Sequence, residues 1–369
     1  MGITSLPHYF TARFWRMAML LFSVLTLLSP VVHASLSFRG VDWSSLLVEE
    51  AAGKTYKNAA GTVQPLETII NNSGVNTVRQ RLWVNPSDGN YNLAYNVKLA
   101  KRAQAAGLQI YLDMHFSDTW ADSGHQATPA AWVGYAIDDL AREVYNYTLA
   151  TMNTFQSNGI PLSIVSIGNE ITAGMLWPLG VTSNSTGLYN LARLLHSASA
   201  GIKDSALSTK PRIMIHLDNG WNWAKQQWWY DTVLAEGPLT SSDYDAQGVS
   251  YYPFYNSTAT LASLETSLTN MRGKYGKEIM VVETNWPTWC PSPAFSFPAD
   301  TTSIPFSVAG QTRWVKDVAS RVTIADGVGL FYWEPAWIDG PNLGSSCAYN
   351  LMVTDSGVAM ASLAVFSSI

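Results

Sequence analysis

From Ser37 onward, short runs of β-branched and apolar residues alternate with longer segments in which apolar positions recur three or four residues apart. The short runs have the length and composition of buried parallel strands, which are covered on both faces and so show little polar–apolar alternation. Eight can be drawn: Ser37–Val41, Thr77–Leu82, Gln109–Met114, Ser163–Ile167, Arg212–Leu217, Gln247–Tyr251, Glu278–Val282 and Gly327–Trp333. Between them the longer period predicts helices over Leu66–Asn72, Leu93–Ala106, Asp138–Asn158, Gly187–Ile202, Trp223–Leu234, Leu261–Tyr275 and Phe306–Val322, with Ala359–Phe366 as a last one. Gly74, Gly107 and Gly159 stand where helices should stop. No linker, repeat or shift in composition interrupts the series. Eight β/α units in one uninterrupted chain predict the α/β class and a single-domain (β/α)8 TIM barrel rather than two doubly wound halves.

A barrel of this kind carries its chemistry at the carboxyl ends of its strands. The polar and aromatic residues of this chain gather there. The second strand ends Arg79-Gln-Arg-Leu-Trp83 and the third Asp113-Met-His115-Phe-Ser-Asp118-Thr-Trp120. The fifth ends His216-Leu-Asp218-Asn-Gly-Trp221, the sixth Ser250-Tyr-Tyr-Pro253, and the eighth Tyr332-Trp333-Glu334-Pro-Ala-Trp337. Two strand ends matter most. Ile164 to Ile167 runs into Gly168-Asn169-Glu170, and Ile279-Met-Val-Val runs into Glu283. A carboxylate at the end of a buried strand is costly to desolvate and usually has a chemical reason.

Two such glutamates across a barrel mouth match what cleavage of a glycosidic bond requires. One carboxylic acid protonates the departing oxygen, and a second carboxylate works from the opposite face of the sugar. A separation of about 5–5.5 Å would mean a retaining mechanism, and about 6.5–9.5 Å an inverting one. Charge repulsion from Glu283 would keep Glu170 protonated, and Arg79, if it reaches Glu283, would keep that residue ionised. The plainer alternative makes each glutamate half of a structural ion pair. A metal-dependent hydrolase built on Asp113, His115, His216 and Asp218 is another reading. Against it, close His/His and Glu/His spacings are missing, and only four of the six histidines remain once His8 and His33 are assigned to a leader. No metal and no cofactor are expected. Trp120, Trp177, Trp286, Trp333 and Trp337 all follow strand ends, where an indole face can stack on a sugar, whereas Trp228 and Trp229 lie within a helical pattern.

Composition narrows the partners. The chain is 47% hydrophobic and 13% charged, with 15 tryptophans and a net charge of −5. Low charge with many aromatics suits a neutral polar ligand, and no basic cluster marks nucleic acid or anionic lipid. Residues 1–34 read as a secretory signal peptide. Arg13 and Arg16 precede twelve apolar or small residues, Met17–Leu28, too few for a membrane anchor, and Val32-His33-Ala34 ends in a small residue. The catalytic domain is then 35–369, extracellular, and expected to act as a monomer without a membrane partner. In an oxidising compartment Cys290 and Cys347 are expected to pair, two free thiols being the alternative. Asn146, Asn184 and Asn256 head glycosylation sequons, as does Asn71.

Several strings resemble the arabinogalactan endo-β-1,4-galactanases of glycoside hydrolase family 53, especially the secreted fungal members. They are Ile-Gly-Asn169-Glu170-Ile-Thr-Ala-Gly-Met-Leu-Trp-Pro-Leu-Gly, Val-Glu283-Thr-Asn-Trp-Pro, Tyr-Trp333-Glu-Pro-Ala-Trp337, Arg79-Gln-Arg-Leu-Trp-Val-Asn-Pro-Ser-Asp, His115-Phe-Ser-Asp118-Thr-Trp120-Ala-Asp and Gly-Val-Ser-Tyr251-Tyr252-Pro-Phe-Tyr. The likeness extends from about Leu36 to the carboxyl terminus. It implies the same barrel and retaining endo-cleavage of the β-1,4-galactan side chains of pectin, with Glu170 as acid/base and Glu283 as nucleophile. It also implies that Asn169 binds the 2-hydroxyl at the cleaved sugar, with Arg79 and Trp333 around it. His115, Asp118, Trp120, His216, Asp218, Tyr251, Tyr252 and Trp286 complete the expected substrate-binding set, and only one of the two tyrosines should face the sugar. The cysteine pair matches the fungal alternative to the calcium of some bacterial relatives, so no structural calcium is expected. Another β-1,4-glycanase of the clan, acting on mannan, xylan or glucan, and a sugar-binding barrel without turnover are the rival readings.

Overall fold

The eight expected strands form, as β1 (Phe38–Asp42), β2 (Thr77–Leu82), β3 (Gln109–Met114), β4 (Ile164–Ile167), β5 (Arg212–Leu217), β6 (Ala246–Ser250), β7 (Glu278–Glu283) and β8 (Gly329–Tyr332). Each lies parallel to its neighbours in chain order, and β1 closes on β8 with Phe38 opposite Gly329 and Val41 opposite Tyr332. This computed structural model describes residues 1–4 and 35–369, of which 35–369 form one compact unit. Apart from its first four residues, the leader expected over 1–34 lies outside the described residues.

Around the barrel run α1 (Leu46–Ala51), α2 (Leu66–Asn72), α3 (Leu93–Ala105), α4 (Ile137–Ser157), α5 (Gly187–Lys203), α6 (Trp223–Ala235), α7 (Leu261–Tyr275) and α8 (Val308–Ile324). Helix α1 was not expected, because six residues are too few to display a helical period. Helix α8 starts two residues later than the apolar pattern suggests. Ser307 is its cap, accepting the Gly310 N–H at 3.1 Å. The terminal segment Ala361–Ser368 is a 3₁₀ helix rather than an α-helix. A short antiparallel ribbon pairs Gly174–Met175 with Gly180–Val181 and escaped the sequence pattern, being only two residues per strand. Among the described residues no helix is long and apolar enough to cross a membrane.

The barrel interior shows how the site is raised. Phe38, Tyr111, Ile164, Met214, Ala246, Met280, Val282 and Phe331, from seven of the eight strands, pack together as a plug. Gly40 has to be glycine here, because a Cβ would come within 2.1 Å of the Phe331 ring. Side chains two residues further along a strand return to the same face. That step leads from Tyr111, Ile164 and Met214 to Asp113, Ser166 and His216, and from Gly40, two beyond Phe38, to Asp42, all four buried. The polar layer above the plug is the floor of the site.

Candidate active site

Arg79 is the centre of that floor. Its guanidinium is buried and donates to Asp42 Oδ2 at 2.8 Å, Asp113 Oδ2 at 2.7 Å and Asn169 Oδ1 at 2.7 Å, and it pairs with Glu283 Oε1 at 2.8 Å. Three carboxylates on one cation form an anionic cluster that depends on Arg79 for its charge balance. Asp113 is held ionised: burial opposes its charge, but Arg79 and His115 pull its carboxyl well below the usual carboxylate range. His115 stays neutral, because burial disfavours its cation. Its Nδ1 accepts N–H bonds from Trp83 (3.2 Å) and Ala121 (3.3 Å), so Nε2 carries the proton and donates to Asp113 at 3.0 Å. Burial and the Arg79 charge push His216 down to about 3, so it too is neutral, with Nε2 2.9 Å from the Ser250 hydroxyl.

Both glutamates reach the mouth through departures from regular strand geometry. On β7, Met280 and Val282 face the plug, and strict alternation would send Glu283 outward. The β6–β7 register shifts between Val249 and Ser250, so that Ser250 lies opposite Glu283. This irregularity re-aims Glu283 into the mouth, as strand bulges beside active sites do. On the other side, β4 ends in Gly168 (φ +125°), and a Cβ there would stand 2.7 Å from the Ile171 Cγ2. Glu170 itself is in the left-handed region, φ 49° and ψ 45°. A non-glycine residue held there costs roughly 1–3 kcal/mol and is tolerated mostly at functional positions.

Glu170 and Glu283 line one cleft of about 400 Å³ with Asn169, Asp218, Ser250, Tyr252, Trp120 and Trp333. Their environments differ. Glu170 is pushed well above the ordinary glutamate value, first by burial, then by the charges of Glu283 and Asp218, with only the Ser250 hydroxyl opposing. Burial also raises Glu283, but the Arg79 cation and the Tyr252 hydroxyl, which donates to Glu283 Oε2 at 2.8 Å, pull it back. A proton shared by the pair therefore resides on Glu170.

A model of glycosyl hydrolase family 53 matches residues 38–366. The chain belongs to glycosyl hydrolase family 53. It is 60% identical over 336 residues to an arabinogalactan endo-β-1,4-galactanase of Humicola insolens, which spans 91% of this chain and all of that relative. A solved structure described as one of two fungal β-1,4-galactanases superimposes with a TM-score of 0.89 at 60% identity, covering 91% of this chain and 100% of the other. The family 53 catalytic domain of Ignisphaera aggregans is more distant, at 27% identity and a TM-score of 0.79 over 92% of this chain and 98% of that one.

Within this family 53 glycoside hydrolase, Asn169, Trp120, Asp218, Tyr252 and Trp333, of the expected binding set, line the cleft. Arg79, His115 and His216 belong to its floor, where Arg79 bonds to Asn169 and Glu283, His216 to Ser250, and His115 to Asp113. Two expected binding residues are corrected. Tyr251 is wholly buried, donates to the Ala259 carbonyl at 2.9 Å and stacks on Trp314 at 5.3 Å, because alternation along β6 turns Ser250 and Tyr252 inward and Tyr251 toward the helices. Trp286 is equally buried, stacked on Trp314 at 5.0 Å with its indole N–H donated to the Pro305 carbonyl. Asp118 is also taken up by structure, accepting the Asn85 and Ala130 N–H groups at 2.9 and 2.8 Å. Asp122, Asn219, Trp221 and Tyr255 also line the cleft; each belongs to a strand-end string named above but not to the expected binding set, since which member of such a loop turns to the rim is decided by the fold. Cys290 and Cys347 are joined, as expected. Asn146, Asn184 and Asn256 are all exposed. Among the described residues no group of three or more His, Cys, Asp or Glu side chains could hold a metal. Of the residues in the metal reading, Asp113 is bonded to Arg79 and His115, His216 to Ser250, and Asp218 to Asn219 with Lys225 nearby.

Proposed function

We propose that this enzyme cleaves internal β-1,4-galactosidic bonds of pectic galactan outside the cell, with retention of configuration. The observation that carries the reading is the unequal footing of the two carboxyls: Glu283 touches Arg79 and Tyr252, while among the described residues Glu170 has no cation paired with it. Glu170 gives its proton to the glycosidic oxygen as the carboxylate of Glu283 attacks the anomeric carbon, and the bond to the leaving sugar breaks. Esterified Glu283 no longer carries charge, which lowers the affinity of Glu170 for a proton. Glu170, now a carboxylate, takes a proton from water, and that water displaces Glu283 from the anomeric carbon. Asn169, held by its amide to the Ala121 carbonyl at 2.7 Å, is assigned to the 2-hydroxyl, and Trp333 and Trp120 on the cleft wall are assigned to the apolar face of the sugar. The galactan preference rests on the 60% identity to enzymes bearing that name.

Glu283→Gln should retain galactan binding and lose turnover by about 10⁴-fold or more, since the nucleophile and its charge vanish together. Undiminished turnover by the folded variant would remove Glu283 from its role. Proton NMR in the first seconds of hydrolysis should show the β-anomer of the new reducing end before mutarotation, and the α-anomer would mean inversion. Galactan should be degraded while xylan, mannan and glucan are left intact.

A further inference from the structure

The loop after β6 carries a glycosylation sequon onto the rim of the catalytic cleft. Asn256, of Asn256-Ser-Thr258, lines the same cleft as Glu170, Glu283 and Tyr252, and both it and Thr258 are exposed. Its side chain closes a local turn: Oδ1 accepts the Thr258 N–H at 2.9 Å and the Thr258 hydroxyl at 2.8 Å. The Asn256 carbonyl accepts the Ala259 N–H at 3.0 Å, and the Ala259 carbonyl accepts the buried Tyr251 hydroxyl at 2.9 Å, so the turn is anchored to the core. Oδ1 is thus engaged, while the Nδ2 amide has no hydrogen-bond partner among the described residues. The other sequons differ. Asn184 Nδ2 donates to the Pro178 carbonyl at 3.0 Å, and Asn71 Nδ2 to the Ala106 carbonyl at 2.7 Å. Asn146 stands exposed on α4 but lines no part of the cleft. Of the four, Asn256 combines an unengaged amide with a place beside the reacting groups.

We propose that Asn256 carries an N-linked glycan rooted at the cleft mouth, and that this glycan screens the approach of polymeric substrate. This rests on the secretion and galactan readings above. In the secretory pathway Nδ2 bonds to the anomeric carbon of a lipid-pyrophosphate-linked oligosaccharide. The bond from that carbon to the pyrophosphate oxygen breaks, the amide gives up one proton, and the lipid pyrophosphate leaves. The product is a bulky, solubilising group on the surface. Its effect on uncharged galactan is steric. A polymer that extends across the rim meets it, whereas a substrate short enough to lie at the two glutamates loses little by its presence.

The full chain, secreted from a filamentous fungus, should yield a glycan-bearing Asn256 peptide in mass spectrometry. Thr258→Ala abolishes the sequon without touching Asn256, and Thr258→Ser keeps both sequon and hydroxyl. Relative to the parent, Thr258→Ala should raise kcat/KM on galactan about threefold through faster association. The shortest galacto-oligosaccharide that the parent cleaves should be processed at the parental rate, and Thr258→Ser should match the parent on both. Trimming with an endoglycosidase should bring the parent to the Thr258→Ala rate and leave Thr258→Ala unaltered, which separates loss of the glycan from loss of the hydroxyl. An Asn256 peptide that is bare while another sequon is glycosylated overturns this proposal alone. So do galactan rates that trimming leaves unchanged, or equal gains on long and short substrates. A chain bare at every sequon overturns the secretion reading beneath it, and a parent inert toward galactan overturns the functional one.

Discussion

Tyr252 links a single hydroxyl to the pH dependence of the reaction. It donates to Glu283 Oε2 at 2.8 Å, and a donor to a carboxylate favours the ionised form, so the bond lowers the Glu283 pKa against the rise due to burial. Tyr252 remains a phenol throughout, its own ionisation pushed far up by burial and by the two glutamates. The proposed mechanism requires Glu283 ionised and Glu170 protonated. The acid limb of kcat/KM against pH therefore follows Glu283, and the alkaline limb follows Glu170. In Tyr252→Phe the Glu283 pKa rises, the nucleophile is protonated at a higher pH, and the acid limb should move upward while the alkaline limb stays in place. An acid limb that does not move would detach Tyr252 from this role. Arg79 acts on the same group but also holds Asp42 and Asp113, so its removal would confuse charge with stability.

Turns at strand ends do what the strands cannot. The turn after β4 places Asn169 and Glu170 side by side through two departures on either side of Asn169, Gly168 at φ +125° and Glu170 at φ +49°. Gly168→Ala introduces a Cβ into a conformation that L-residues avoid and toward the Ile171 methyl 2.7 Å away. Stability should fall by about 1–3 kcal/mol, measurable by denaturant unfolding. Turnover should fall further than stability, by about 10²-fold, because the acid/base is displaced from its line to the leaving oxygen. Parental turnover in the folded variant would mean that the turn does not set the Glu170 position. The turn after β8 is built similarly. Glu334 (φ 42°) accepts from the Ser45 N–H at 2.9 Å, the Ser45 hydroxyl at 2.7 Å and Arg81 at 2.7 Å. The Arg81 guanidinium in turn lies over the rings of Tyr91, Trp120 and Trp337, at 4.3, 4.9 and 5.2 Å. That ion pair supports the aromatic side of the cleft from below.

Across the fold, one covalent link ties the catalytic face together. Cys290 lies in the loop after β7 and Cys347 in the loop after β8, and Leu343 and Gly344 of the latter loop line the cleft. Both cysteines pack with Phe254, beside Tyr252, so the bridge and the residue that tunes the nucleophile share one cluster. A cross-link spanning 57 residues restricts the unfolded chain by up to about 4 kcal/mol in a loop-entropy account. The double variant Cys290→Ser/Cys347→Ser should therefore unfold at lower temperature in calorimetry. It should also bind galacto-oligosaccharides more weakly, since its cleft loop has lost its tether. An unchanged melting temperature would show that the loops are held by packing alone.

The number and order of strands, the barrel class and the two strand ends that carry glutamate were legible in the amino-acid sequence, because period and strand ends are local properties. The positions β7 and β4 give Glu283 and Glu170 follow from eight repeats of one pattern. Which way the side chains point was not local. Alternation alone would turn Glu283 away from the mouth, and the register shift against β6 turns it in. Tyr252 lines the cleft whereas Tyr251 is buried, and Trp286 is buried although it follows a strand end as Trp333 does. Arg79 could be suspected of holding one carboxylate. That it holds three, from β1, β3 and β7, required the barrel to close, since charges distant along the chain meet only when the sheet brings its strands round to one axis.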